Sequence, residues 1–145
     1  MTLKNKIYIK NFGRKGHEGI LSFGVDGCGD NFFSRCLTIS KDFKYMAVCS
    51  NEEVSDKGSY IHISIYKINK DMPETPKVTS VQHCCEPVYI DRLEADSGID
   101  SVEQPQAADF SIKVGNCHFL TVFMRFSSKM LVYRIDEKDV VALKY

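Results

Sequence analysis

The chain has 145 residues, one domain's worth, of which 43% are apolar and 26% charged, the balance of a soluble globular protein rather than a disordered one. Its 19 Lys and Arg offset 19 Asp and Glu, so no net charge draws the whole chain to nucleic acid or to an anionic membrane. The longest apolar runs, about six residues, fall far short of the ~20 that span a bilayer, and "MTLKNKIYIKN" lacks the apolar stretch of a secretory signal, so the expected location is cytoplasm or nucleus.

"KIYIKNF" (6–12) and "GILSFGV" (19–25) read as two short strands. "RCLTIS" (35–40) is a strand with Leu37 and Ile39 on one face, "KDFK" (41–44) a polar turn in which Asp42 can bond its own backbone, and "YMAVCS" (45–50) a second strand. "YIHISIYKI" (60–68) alternates Ile61, Ile63 and Ile65 with His62, Ser64 and Tyr66, the period of a strand. "KVTSVQ" (77–82), after a connection carrying two prolines, is a fourth. The order then repeats: "DFSIKV" (109–114) with Phe110, Ile112 and Val114 on one face, a Gly115–Asn116 hairpin turn, "CHFLTVF" (117–123), "KMLVYRI" (129–135) and "DVVALKY" (139–145). No window of a dozen residues carries a helical repeat with caps, so the expected fold is all-β, built of consecutive four-stranded antiparallel meanders.

An internal echo supports two copies of one unit. "IYKINKD" (65–71) returns as "VYRIDEKD" (132–139), and "KIYIKN" (6–11) is a looser third copy. With its apolar strand, S-x-D-x-K-Y turn, apolar strand and strand ending on an aromatic, "CLTISKDFKYMAVCSN…YIHISIYKIN" resembles a WD-repeat blade over residues 32–70, and residues 107–145 resemble one more weakly. The chain has no tryptophan, and Tyr66 and Tyr133 stand where that family's Trp usually does. The resemblance implies a partial β-propeller over residues 1–145, about two and a half blades, whose ring is completed elsewhere, since propellers close with about 4–8 blades. It also implies a non-catalytic scaffold for other protein subunits. The alternative it leaves open is an accessory, non-catalytic subunit of an RNA-modifying enzyme, with Arg14, Lys15 and His17 as a local basic patch. A small closed barrel or sandwich binding a ligand internally is a third option, which the repeated ending disfavours.

Residues that could carry chemistry are few. Cys28, Cys36, Cys49, Cys84, Cys85 and Cys117 are expected to be free thiols in a reducing compartment, with Cys36, Cys49 and Cys117 as small buried hydrophobes. "HCC" (83–85) and "CH" (117–118) lack zinc-ligand spacing. Neighbouring Cys and His on a strand point to opposite faces, so neither Cys117 with His118 nor His83 with Cys84 makes a nucleophile–base pair. "GRKGHEG" (13–19) lacks the phosphate-loop order and "GVDGCGD" (24–30) the calcium-loop spacing. No catalytic, cofactor or metal residue is assigned.

Residues 86–106 hold two prolines and six acidic residues and are expected to form a flexible insertion between blades. Within it "DSGIDS" (Asp96, Ser97, Gly98, Ile99, Asp100, Ser101) resembles the D-S-G-Φ-x-S degron that F-box ubiquitin-ligase receptors of the β-transducin-repeat type recognise when both serines are phosphorylated. Each phosphate would add roughly −1.5 to −2 charge for an arginine cluster to read.

Overall fold

The computed structural model describes residues 6–10, 20–24, 32–54, 58–68, 85–95 and 102–144, which contain ten β-strands and no helix. β1 (Lys6–Lys10) and β2 (Ile20–Gly24) pair antiparallel. β3 (Phe32–Ile39), β4 (Tyr45–Val54), β5 (Gly58–Ile68) and β6 (Cys85–Glu94) form one antiparallel sheet in chain order. β7 (Pro105–Phe110), β8 (His118–Met124), β9 (Met130–Ile135) and β10 (Val141–Leu143) form a second. The protein is therefore all-β, with two consecutive four-stranded meanders.

The two sheets pack face to face and approach most closely along their first strands, with β7 lying against β3 and touching β4. Alternation decides which side chains meet between them. Tyr45, Ala47 and Cys49 of β4 and Ile61, Ile63 and Ile65 of β5 face Leu120, Val122 and Met124 of β8 and Tyr133 and Ile135 of β9. Each of these isoleucines is at most 2% exposed, a burial that contributes roughly 1.5–3 kcal/mol per side chain.

The central strands of the first sheet are buried on their other face too, although Leu37 and Ile90 on its edge strands are exposed there. Met46, Val48, Ser64 and Tyr66 point away from the second sheet and are nearly inaccessible. Tyr66 pairs across strands with Met46, and Tyr133 pairs with Leu120. Tyr66 lies on the face turned away from the second sheet and Tyr133 on the face turned toward the first. The two tyrosines of the repeated ending thus sit on the third strand of their sheets, on faces of the same sense.

Three expectations need correction or lie out of view. Residues 86–106 are not one flexible insertion: 86–94 belong to β6, and Pro105 and Gln106 open β7. Their prolines and acids are accommodated because β6 and β7 are edge strands. Pro87 and Pro105 need no amide for a ladder, and Glu86, Arg92 and Glu94 project to solvent. Tyr89 and Leu93 pack on the core, with a bulge opposite Ile65 and Tyr66. Second, the strand expected over 109–114 ends at Phe110. Phe110 is 2% exposed, but Ile112 and Val114 are 70% and 64% exposed, because the chain beyond Phe110 runs past the core into a narrow hairpin tip. There Val114 and Cys117 exchange both backbone hydrogen bonds around Gly115, whose φ of +58 suits glycine. Leu37 and Ile39 share one face, opposite Val48 and Met46; Leu37 is 43% exposed there, while Cys36 on the alternate face packs on the core. Third, the strand expected over 77–82 lies outside the described residues.

Candidate functional site

At one end of the sheets a polar seam ties the two meanders together. In the β3–β4 turn, Ser40 Oγ accepts from the amides of Lys44 (3.1 Å) and Tyr45 (2.9 Å) and donates to Asp42 Oδ1 at 2.8 Å. Asp42 Oδ2 lies 2.7 Å from Nε2 of His118, the first residue of β8. Burial pushes the Asp42 carboxyl up, but the hydrogen bonds from Ser40, His118 and the Lys44 amide outweigh it and hold the group at about 2. His118 is 3% exposed and meets the Tyr45 ring edge-on at 4.9 Å.

The Tyr45 hydroxyl donates to Asp139 in the β9–β10 turn, and Lys67 Nζ donates to the other Asp139 oxygen at 2.6 Å. Burial, then the bond to Asp139 and its charge, lift the Tyr45 hydroxyl well above the ordinary phenol range, so it stays a donor. Burial alone would raise the Asp139 carboxyl, but the bonds from Lys67 and Tyr45 hold it below its usual value. The seam is thus an alternation of fixed donors and fixed acceptors. With His118 shut away from solvent, it orients and locks side chains.

The other end carries a small pocket. Arg35, which occupies the bulge of β3, donates through Nε to Asn51 Oδ1 at 3.2 Å, and Asn51 Nδ2 donates to the Glu103 carbonyl at 3.1 Å. The Glu103 carboxylate, 5% exposed as a residue, accepts from the amides of Phe126 (2.9 Å) and Ser127 (2.6 Å) and from the amide of Gln104 (3.2 Å). Burial raises this carboxyl and the hydrogen bonds more than compensate, leaving it ionised. Arg35 and Arg125 flank an open pocket of about 220 Å³ completed by Gln104, Pro105 and Gln106.

The third feature is apolar. Phe123 of β8 and Met130 of β9 are cross-strand partners on the face of the second sheet turned away from the first, and are 47% and 48% exposed. Phe119 and Val132 lie half-buried on the same face, beside Arg134, whose Nε is buried without a hydrogen-bond partner. The corresponding face of the first sheet is the one that the second sheet covers.

Of the residues singled out from the sequence, Asp96, Ser97, Gly98, Ile99 and Ser101 lie outside the described residues, as do Arg14, Lys15, His17, His83 and Cys84. Cys117 is half-buried at the hairpin tip and His118 is turned into the seam. Among the described residues, no group of three or more His, Cys, Asp and Glu is placed to hold a metal ion. The Asp42–His118, Tyr45–Asp139 and Asn51–Glu103 links had no signal in the sequence beyond the Ser-x-Asp turn. Comparison with protein-family models, with curated proteins and with solved structures gives no match for this chain.

Proposed function

We propose that the chain is a non-catalytic, WD-repeat-like scaffold that holds other protein subunits in a larger assembly. The observation that carries this reading is the inequality of the two sheets. The central strands of the first sheet, β4 and β5, are buried on both faces, whereas β8 and β9, the central strands of the second, leave Phe123 and Met130 open on a face that resembles an unfilled sheet-on-sheet contact. Contiguous exposed apolar surface of this kind marks an interaction site. A further sheet, from a partner subunit or from another copy, is the occupant that fits a flat pleated face. Residues 96–101 are a regulatory appendage in this reading, recognised by an F-box ubiquitin-ligase receptor once Ser97 and Ser101 are phosphorylated.

Sedimentation of the purified chain, together with capture of its cellular partners, tests the proposal. The wild-type chain self-associates or retains a stable partner. A Phe123→Glu, Met130→Lys variant keeps its cooperative unfolding and loses that association. A well-behaved monomer that captures nothing, or association indifferent to the two substitutions, rejects the scaffold role for this face. The second reading, an accessory subunit of an RNA-modifying enzyme, draws on Arg35 and Arg125 flanking one pocket in a chain without net charge. It requires that the captured partner be such an enzyme and that Arg125→Ala weaken RNA binding by the complex.

A further inference from the structure

We propose that Cys36 and Cys49 form a redox-active dithiol, which hydroperoxides convert into a cross-strand disulfide joining β3 to β4. The two residues are direct partners in the antiparallel register. Such partners have Cα atoms about 4.5 or 5.5 Å apart, and both separations fall inside the ~4.4–6.8 Å that a disulfide bridges, so neither backbone has to move. Both side chains lie on the core face of their strands, so the two thiols face one another across the pair.

Their surroundings divide the labour. Cys49 is fully buried among Tyr45, Ala47 and the β5 isoleucines, whereas Cys36 lies on an edge strand and is half-buried. An oxidant can reach Cys36 and not Cys49. The neighbouring Cys49 thiol outweighs burial to lower the pKa of Cys36, favouring its thiolate, while Cys36 and burial raise that of Cys49. The exposed member is thus the nucleophile and the buried member the resolving thiol, an asymmetry that suits two-step oxidation.

The chemistry balances with a hydroperoxide as the sole oxidant. The Cys36 thiolate attacks the terminal peroxide oxygen, the O–O bond breaks, and the departing alkoxide takes a proton to leave as an alcohol, or as water when the oxidant is hydrogen peroxide. Cys36 is then a sulfenic acid. The Cys49 sulfur attacks the Cys36 sulfur, the S–O bond breaks, and hydroxide leaves as water with the Cys49 proton. Two thiols lose two electrons to one peroxide bond, and any dithiol reductant reverses the change. The product fastens the edge strand β3, which abuts β7, to the centre of the first sheet.

The test uses the full chain, reduced and then treated with one equivalent of hydrogen peroxide. Lys41 and Lys44 separate the two cysteines, so trypsin places them on different peptides, residues 36–41 and 45–57. The expected result is the appearance of these two peptides linked, the loss of two alkylatable thiols, and recovery of both with dithiothreitol. Cys36→Ser abolishes the link, Cys117→Ser leaves it intact, and Cys49→Ala traps a Cys36 sulfenic acid that dimedone labels. Should the Cys49 variant not fold, the peptide linkage in the wild-type chain still decides. The proposal is overturned if oxidation links other cysteines first, if Cys117 reacts in preference to Cys36, or if the 36–41 and 45–57 peptides remain unlinked when thiols are consumed.

Discussion

The hydroxyl of Tyr45 and the carboxylate of Asp139, separated by 94 positions in the chain, meet across the two sheets. Tyr45 begins the second strand of the first sheet, and Asp139 sits in the last turn of the second. Their bond spans both meanders, and it joins a fully buried phenol to an ion that Lys67 holds in place.

The pair should therefore act as a unit in stability. Tyr45→Phe and Asp139→Asn each destabilise the fold, and a double-mutant cycle by denaturant unfolding should return a coupling of about 1–2 kcal/mol. Asn is the appropriate partner change, because it tolerates the left-handed φ of 63° that Asp139 adopts. Additive single effects would show that the contact contributes nothing beyond packing.

Phe43 holds a φ of 56° in the β3–β4 turn, a conformation costly for a bulky side chain, yet it is 68% exposed and covers little. Phe43→Asn should raise stability by about 0.5–1 kcal/mol by relieving that backbone strain. The unfolding midpoint measures it, and a drop would mean that the ring contributes packing worth more than the strain it costs.

Acid should dissolve the seam within a narrow window. Folding lowers the Asp42 pKa to about 2, so between roughly pH 4 and that value the unfolded chain binds the extra proton. The stability that Asp42 contributes is complete above about pH 4 and is lost as pH falls through about 2. Thermal midpoints of the wild type and Asp42→Asn should differ at neutral pH and converge near the acid end. A gap that stays constant with pH would remove the carboxylate from the account.

If residues 96–101 work as a degron, the Ser97→Ala, Ser101→Ala chain should persist longer in cells with an unchanged unfolding midpoint. Phosphorylated peptide 94–103 should bind an arginine-lined receptor, while the unmodified peptide should not. Equal lifetimes of variant and wild type would make the motif a coincidence of spelling.

The central strands were legible because their alternation is written in β-branched and aromatic residues: Ile61, Ile63 and Ile65 in β5, and Leu120 and Val122 in β8, lie on the core face that period two assigns. β6 was hidden by Pro87 and its charges, which mark a loop in an interior strand but are tolerated at a sheet edge. The bulge between Ser34 and Cys36 carried no signal either, since nothing in "FFSRCL" announces it. The polar links were out of reach for another reason. Asp42 and His118 lie 76 positions apart, and only the packing of two sheets brings a turn residue of one against a strand residue of the other. Glu103 likewise reads as one more acid in an acidic stretch until three amides are found around its carboxylate.

The burial of β4 on both faces also governs what this gene can change. From Tyr45 to Ser50 every residue of β4 is enclosed, so a scan of all substitutions should find six consecutive positions that reject charge, with no alternation to betray a strand. Along β8 the same scan should reject charge at Leu120, Val122 and Met124 and accept it at Phe123, between them. A strand that looks uniformly intolerant and one that looks half-tolerant would then be two readings of the same pleat, distinguished by how many of their faces are buried.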